Sequence, residues 1–466
     1  VLTANAGVVV DNITIDGTEI DLSSGDLTID VAGDIILDAD SDGSVRFKDG
    51  GTEFAHHFLS SSTYFIQAPV SDGDLTIRGN DGGSNVDALT FDMSAAGAAT
   101  FNSTITLKDT LSISSASTSG FLQASSNVLQ FGTSSDDPVN FFANNAVVFT
   151  LAADGSLSTP TAGTSNVRFG VNAGNSIASG GNFNTVVGDE AGTAITTGDS
   201  NVLIGYQSGD AITTAEKNVG LGRGTLTTNI LSDANVAIGN GALFTHNQAT
   251  SIDSYNVAVG DNAGAAVSTG IRNTLLGGLT GDALTDADDN TALGTFALTA
   301  DTLGSKSTAV GASALGNQNF TTATDSLNTA VGYHAGLAIT TGQFNTILGA
   351  QTGDALTVGT RNVALGYASL SSDTKGSKSV AVGINALFAQ NFTTATDTFN
   401  TAVGTDAGLS ITTGVRNAIV GSLAGDALQD ADFNTVLGFN ALTTDTLGSK
   451  STAIGTEALH TQNFTT

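Results

Sequence analysis

The most regular pattern in the chain is a short apolar run that lies between an Asn or Ser and a Gly. It occurs sixteen times between residues 184 and 455, as in Asn184-Thr-Val-Val-Gly188 and Asn328-Thr-Ala-Val-Gly332. Successive starts are separated by 17, 17, 17 and 21 residues, so the full unit has 72 residues and begins at 184, 256, 328 and 400. A fixed period of this kind predicts a solenoid that grows by adding coils, and not a globular enzyme.

Each coil is predicted to contain one short strand that runs into a turn, because three apolar residues are closed by Gly. We number the Asn or Ser as position 1 and the Gly as position 5. Gly supplies a positive φ or allows a close backbone approach, while Asn tolerates turns and can bond to the coils on either side. The predicted structural corners are Asn184, Gly188, Asn256, Gly260, Asn328, Gly332, Asn400 and Gly404. At about 4.8 Å per strand, sixteen coils would extend roughly 75 Å.

The strand positions are apolar on both faces. Side chains alternate across a strand, so positions 2 and 4 share one face, which we assign to the coil interior. Position 3 then points outward, yet it carries Leu203, Leu275, Ile347 and Ile419 at the 72-residue period. A strand with two apolar faces is usually covered on both, so the outward face is expected to meet another chain. The alternative is that position 3 forms ordinary exposed surface.

Every fourth coil carries four extra residues. In three of the units these include Gln-Asn-Phe-Thr-Thr, which places Phe320, Phe392 and Phe464 at equivalent sites. Insertions in repeats map to loops on one side, so these three rings mark candidate surface loops. They could face a ligand, or they could tuck over the coil edge or against a neighbouring subunit.

The region before the repeats is also predicted to be β structure. Alternating segments such as Asn12–Asp16, Asp26–Asp30 and Asp74–Arg78 are separated by turn residues. Residues 88–97 resemble residues 146–155 at an offset of 58. We therefore expect an all-β chain: residues 1–160 form short β-rich shaft modules, and residues 161–466 form a parallel β-roll or β-solenoid with coils that start near 184.

Composition narrows the function. The formal net charge is −30 with only 14 Lys and Arg, so the basic footprint of a nucleic-acid-binding protein is missing. No apolar run approaches the ~20 residues of a membrane helix, so membrane insertion is not expected. The chain lacks Cys, zinc-ligand spacing, a nucleophile-elbow motif and a phosphate-binding loop. We predict that the protein is not an enzyme. Because it begins with Val and stops inside a repeat, we also expect a piece of a longer polypeptide.

One segment has the spacing of a calcium-binding loop. Asp38, Asp40 and Asp42 alternate before Gly43, and Asp49 stands at the twelfth position. Carboxylates at alternate positions with a Gly at the turn suit a hard cation. Asp replaces the usual bidentate Glu, however, and the flanks read as strands, so a polar turn is the alternative. No other cofactor is predicted.

The repeats resemble known fibrous proteins. The coils Asn328-Thr-Ala-Val-Gly-Tyr-His-Ala-Gly336 and Asn400-Thr-Ala-Val-Gly-Thr-Asp-Ala-Gly408 are similar to the head repeats of trimeric autotransporter adhesins, although those coils are mostly shorter. The segments Gly33–Asp40, Val45–Thr52 and Ala88–Ser94 resemble tail fibre proteins of marine phages.

This resemblance implies a homotrimeric tail fibre segment on a virion, outside the cell, which serves as a spacer and contributes to host adhesion. The implied partners are sister chains, other virion tail proteins and a host-surface glycan or protein. Two alternatives stay open: a bacterial surface adhesin of the autotransporter type, and a secreted filament of solenoids stacked end to end.

Overall fold

The computed structural model describes residues 13–16, 19–22, 24–37, 43–94, 98–101, 110–114, 119–125, 128–133, 139–143, 146–151, 157–158 and 162–465. Every regular element in these ranges is a β-strand, which confirms the all-β prediction for them. The chain divides into two compact units. One comprises residues 1–112 and 121–130, and the other comprises residues 113–120 and 131–466.

The strands before the repeats pair in antiparallel fashion. β1 pairs with β2, β4 lies between β3 and β5, β7 between β6 and β8, and β13 between β12 and β14. The strands are β1 Ile13–Asp16, β2 Glu19–Leu22, β3 Ser44–Asp49, β4 Thr52–Ser60, β5 Thr63–Gln67, β6 Leu75–Asp81, β7 Ser84–Asp92, β8 Ala98–Phe101, β9 Thr110–Ser114, β10 Ser119–Ser125, β11 Val128–Thr133, β12 Val139–Ala143, β13 Ala146–Leu151 and β14 Leu157–Ser158.

The two segments that resemble each other in sequence occupy equivalent places. Residues 88–97 overlap β7 and residues 146–155 overlap β13, and each of these strands is the centre of a three-stranded antiparallel sheet. One strand prediction was wrong. Residues 26–30 form no strand, and Leu27 and Ile29 are half exposed. Alternation predicts a strand only where one face is covered, and this segment covers neither side chain.

The repeats form a parallel β-solenoid of about 17 turns. One 17-stranded sheet contains the main strand of every coil, and three two-residue pairs lie beside it. The strands are β15 Val167–Phe169, β16 Thr185–Val187, β17 Val202–Ile204, β18 Val219–Leu221, β19 Ser232–Asp233, β20 Val236–Ile238, β21 Ile252–Asp253, β22 Val257–Val259, β23 Thr274–Leu276, β24 Thr291–Leu293, β25 Gly304–Ser305, β26 Thr308–Val310, β27 Thr324–Asp325, β28 Thr329–Val331, β29 Thr346–Leu348, β30 Val363–Leu365, β31 Gly376–Ser377, β32 Val380–Val382, β33 Thr396–Asp397, β34 Thr401–Val403, β35 Ala418–Val420, β36 Thr435–Leu437 and β37 Thr452–Ile454.

The coils stack with position 2 on position 2 throughout the sheet. Thr274 pairs with Val257, for example, and the same one-to-one register persists across the 21-residue spacing between β20 and β22. The inserts are therefore accommodated outside the main sheet, by the pairs β19–β21, β25–β27 and β31–β33. The sheet also has one coil more than the sequence pattern predicts. Asn166-Val-Arg-Phe-Gly170 precedes the first predicted coil by 18 residues, and Arg168 at position 3 obscures it.

The assignment of the strand faces was wrong. Position 3 lies in the interior, where Leu203, Leu275 and Ile419 are 0% exposed and Ile347 is 1% exposed. Positions 2 and 4 point outward and are partly or fully exposed. The interior is narrow and also receives the small residue of position 8, such as Ala191 and Ala263. It therefore takes one side chain per strand, and the two flanking side chains are left outside.

The rest of the core is supplied alternately by positions 9 and 12. Coils with Gly at position 9 place Ile, Leu or Val at position 12: beside Gly192, a Cβ would lie 2.7 Å from Ile195 Cδ1. Coils with Leu at position 9, such as Leu370, carry a polar residue at position 12, such as Asp373. Both solutions bury one branched apolar side chain per coil, because close packing leaves room for only one.

Candidate functional site

The asparagines at position 1 form a continuous buried ladder along most of the solenoid. Asn201 is typical: its backbone N–H donates to Asn184 Oδ1 at 3.0 Å, and its Nδ2 donates to the carbonyl of Ala215 at 2.9 Å. Ala215 belongs to the same coil, so each side chain closes its own coil and also binds the next one. The ladder includes Asn184, Asn256, Asn328 and Asn400, all at most 1% exposed.

The fourth coil of the later units breaks this ladder in a defined way. Position 1 becomes Ser307 or Ser379, and the shorter side chain leaves the next Asn without its usual acceptor. Gln318 takes over this role, since its Oε1 accepts from Asn328 Nδ2 at 2.8 Å and its Nε2 donates to Ser307 Oγ at 2.8 Å. The sequence analysis missed Gln318, although its recurrence with the Ser at 72-residue spacing was a usable signal.

A buried carboxylate belongs to the same network. Asp373 Oδ2 accepts from Gln390 Nε2 at 2.5 Å, and Oδ1 accepts from the backbone N–H groups of Gly376 and Phe392. Burial raises the pKa of Asp373, while these donors work in the opposite direction. In the first unit, His246 occupies the place of Gln390, and burial lowers its pKa to about 4. This cluster is a packing device inside the roll with no access for a substrate.

The glycines at position 5 adopt a backbone conformation that other residues rarely take. Gly188 has φ +132° and Gly332 has φ +141°, and Gly260 and Gly404 are similar. A Cβ on Gly332 would lie 2.4 Å from the carbonyl oxygen of Gly349 in the next coil. Both the conformation and the close approach of the neighbouring coil therefore require Gly at this corner.

The outward face of the main sheet is the largest regular surface of the solenoid. Position 4 is Val, Leu or Ile in all sixteen repeats found in the sequence. Leu293, Leu348 and Leu437 at this position are 44%, 46% and 47% exposed. Position 2 adds Thr or Val in nearly every coil. We call this surface the outer strand face; it is a continuous apolar strip on a parallel sheet.

The candidate surface loops are not equivalent in the structure. Phe320 and Phe392 are buried, at 4% and 6% exposure, whereas Phe464 is 54% exposed. Phe320 packs over the backbone of Gly304, and its carbonyl accepts from Thr302 Oγ1 at 2.8 Å. Phe320 and Phe392 thus cover the coil edge within their own chain, and neither faces a ligand.

The predicted calcium loop lies mostly outside the described residues. Asp38, Asp40 and Asp42 are not among them; Asp49 is exposed at the end of β3. Among the described residues, no group of three or more His, Asp or Glu side chains is placed to hold a metal ion.

One small cavity lies on the turn side of the first unit. It has a volume of about 140 Å³, below the ~300 Å³ of ordinary small-molecule sites. Its walls are polar apart from one ring, and it opens where position 7 is Gly in two successive coils. The lining residues are Gln207, Arg223, Gly224, Asn240, Gly241, Phe244 and Asn262.

Comparison with known proteins adds no assignment. No protein-family model, curated protein or solved structure matches the chain. In the part of the chain that the structure describes, there is no helix with the length and hydropathy needed to cross a membrane.

Proposed function

We propose that the chain is a segment of a homotrimeric phage tail fibre, in which the outer strand faces of three parallel rolls pack together. The observation that carries this proposal is the exposed apolar strip at positions 2 and 4. Parallel sheets are normally covered on both faces, and here one face is covered by the coil interior while the other is open. An apolar strip of this length marks an interaction surface.

The regular spacing favours sister chains as the covering partner. The strip presents one Val, Leu or Ile per coil at intervals of about 4.8 Å over its whole length. A partner must offer apolar groups at the same spacing over the same distance. A second copy in parallel register meets this requirement along every coil, and three copies related by a rotation axis enclose all three strips. The number three rests on the resemblance to trimeric adhesin heads and phage fibres.

The chemistry of the roll suits a spacer. Each coil adds length, and its corners are held by hydrogen bonds inside one chain, such as those of Asn184, without disulfides or metals. Covering the strip in a trimer adds stability that depends on association. Such a fibre holds an adhesive surface at a distance from the particle that carries it.

Immunogold electron microscopy of the native source tests this function. Antibodies raised against residues 162–466 should label fibres attached to phage capsids. Labelled stalks anchored on bacterial cells would replace the proposal with a surface adhesin. Free filaments of uniform width that carry the label along their length would replace it with an end-to-end assembly.

A further inference from the structure

The residue just before each ladder Asn, position 17, forms a second exposed column. In seven successive coils of the third and fourth units it is aromatic or cationic without exception. These residues are Phe344, Arg361, Lys378, Phe399, Arg416, Phe433 and Lys450, which we call the position-17 column. Six coil steps of about 4.8 Å make the column roughly 29 Å long. We propose that the position-17 column binds an acidic polysaccharide, an inference that rests on the proposed fibre function and specifies the class of its ligand.

Charge distribution is the first support. The chain has a net charge of −30, and its repeat region, residues 162–466, contains ten Lys and Arg. Seven of these ten lie at position 17 of a coil, four of them within the column. A row of cations on an acidic molecule creates a local field that attracts anionic groups and repels them elsewhere. The column is therefore the place on the roll where a carboxylate or sulfate ester is most favourably bound.

Exposure and ring contacts are the second support. Phe344, Phe399 and Phe433 are 43%, 48% and 47% exposed. Arg361 lies 5.1 Å from the ring centre of Phe344, and Arg416 lies 5.3 Å from that of Phe433. These cation–π contacts hold the guanidinium groups beside the rings. A polymer on the column meets flat apolar faces and fixed donors in turn, as a charged sugar chain requires.

Backbone conformation is the third support. All seven residues have φ between +51° and +60°. Gly or Asn adopts this region at little cost, whereas bulky residues are disfavoured there by about 1–2 kcal/mol each. Neither Gly nor Asn occurs at position 17 in these coils. Residues held in disfavoured conformations concentrate at functional sites, so the side chains themselves are what this position requires.

Two other occupants fit less well. A sister chain would be expected to meet a surface poor in Lys, because Lys is depleted at subunit interfaces, and the column contains Lys378 and Lys450. Single-stranded nucleic acid presents a phosphate at every nucleotide, whereas the cations occur at four of seven coils and Lys378 is already paired with Asp397 at 2.6 Å. A polysaccharide with fewer charges and exposed ring faces matches the alternation more closely.

Affinity electrophoresis of the full chain tests this proposal. Gels contain polygalacturonate, dextran sulfate or neutral dextran as the probe. We expect retardation in at least one acidic gel and none in dextran. The triple variants Phe344→Ala/Phe399→Ala/Phe433→Ala and Arg361→Gln/Lys378→Gln/Arg416→Gln should each weaken binding by about tenfold or more, which corresponds to ~1.4 kcal/mol. Added salt should weaken binding because exposed charges are screened.

Matched controls come from the same chain. Tyr333→Ala/Tyr367→Ala/Phe439→Ala removes three exposed rings at position 6, and Lys217→Gln/Arg223→Gln/Lys375→Gln removes three cations outside the column. Both controls should bind within about twofold of the unaltered chain.

The proposal is overturned if no acidic probe retards the chain, or if the control variants lose as much affinity as the column variants. Stronger retardation by single-stranded poly(dT) than by either acidic polysaccharide would assign the column to nucleic acid. Loss of the oligomeric mass in the column variants would assign it to a sister chain. A column that fails to bind while the mass stays oligomeric leaves the fibre assignment intact.

Discussion

Gln390 Oε1 accepts a hydrogen bond from Asn400 Nδ2 at 2.8 Å, and in doing so it replaces the acceptor that the ladder lacks at Ser379. The other end of the same amide reaches Asp373 at 2.5 Å and Ser379 Oγ at 2.9 Å. One side chain therefore joins two coils and satisfies a buried carboxylate. Gln318 does the same one unit earlier, so a single residue type repairs the ladder wherever the insert interrupts it.

Gln390→Ala should be strongly destabilising. It leaves a buried carboxylate and a buried amide without their partner, and each orphaned group costs about 1–3 kcal/mol. Hydrogen exchange should then accelerate at the amides of residues 373–400 and remain slow in distant coils, because a solenoid opens locally. Gln429→Ala, at an exposed site, is the control and should leave exchange unchanged. Equal protection in the two variants would show that the Gln390 network contributes nothing.

Gly332→Ala should prevent normal stacking of its coil. The new Cβ would lie 2.4 Å from the backbone oxygen of Gly349, which cannot move without disturbing the sheet. We expect a loss of more than about 3 kcal/mol, since backbone strain and a steric clash add. Gly278→Ala is the control, because its nearest neighbour would be 4.0 Å away. Thermal melting followed by circular dichroism should separate the variants, and coincident melts would refute the steric account.

The exchange between positions 9 and 12 predicts compensation inside one coil. Ile411→Ala opens a cavity and should cost about 2–5 kcal/mol. Gly408→Leu alone should also be destabilising, since even its Cβ would lie 3.0 Å from Ile411 Cδ1. The double variant converts the coil to the other pattern, and it should be more stable than the sum of the two effects by about 0.5–3 kcal/mol. Urea unfolding of all four proteins measures this coupling, and strict additivity would contradict it.

His246 should make the first unit sensitive to acid. Burial lowers its pKa from 6.5 to about 4, so the folded state binds fewer protons than the unfolded state in this range. Stability is complete above pH 6.5 and falls as the pH drops to about 4, by roughly 3 kcal/mol in total. Burial raises the pKa of Asp373, so its sign is opposite: lowering the pH through that raised value relieves the folded state.

Hydrogen exchange between pH 6.5 and 4, corrected for intrinsic rates, tests this difference. Amides near His246 should lose protection as the pH falls, whereas those near Asp373 should not. The exchange Asn229→Asp/Asn235→Ser/His246→Gln imports the residues of the next unit and should abolish the acid effect. His334→Gln, at an exposed histidine, should leave it in place. The same acid response in all three proteins would exclude His246 as its source.

The fold followed from the sequence because the period is explicit. A repeated Asn–apolar–Gly run is sufficient to predict stacked coils, their strand and their corner. The strand face was assigned wrongly because alternation states which residues share a face and not which face is inside. Position 4 carries larger side chains than position 3 in most coils, which favoured the wrong choice. The decisive fact is the narrowness of the roll: Leu243 at position 9 and Ala258 at position 3 share one interior.

The candidate surfaces were less accessible to sequence reasoning. Phe320 looks like a loop aromatic, and only the structure shows that it covers the Gly304 backbone. The position-17 column alternates between two chemical classes, so it has no simple consensus in the sequence. Its common feature is a left-handed backbone conformation, as at Phe399 with φ +51° and Arg416 with φ +59°. Bulky residues do not announce this conformation, because their propensities argue against it.

The most direct test of the account is the mass of the 466-residue chain in solution, measured by multi-angle light scattering. If outer strand faces pack against sister chains, the mass is three times the 46.5 kDa of one chain. The variant Leu348→Asp/Val420→Asp/Leu437→Asp should reduce the mass to a single chain, since it places charges on the strip, whereas Val358→Asp, away from that face, should not. A monodisperse 46.5 kDa protein before any substitution would contradict the central claim.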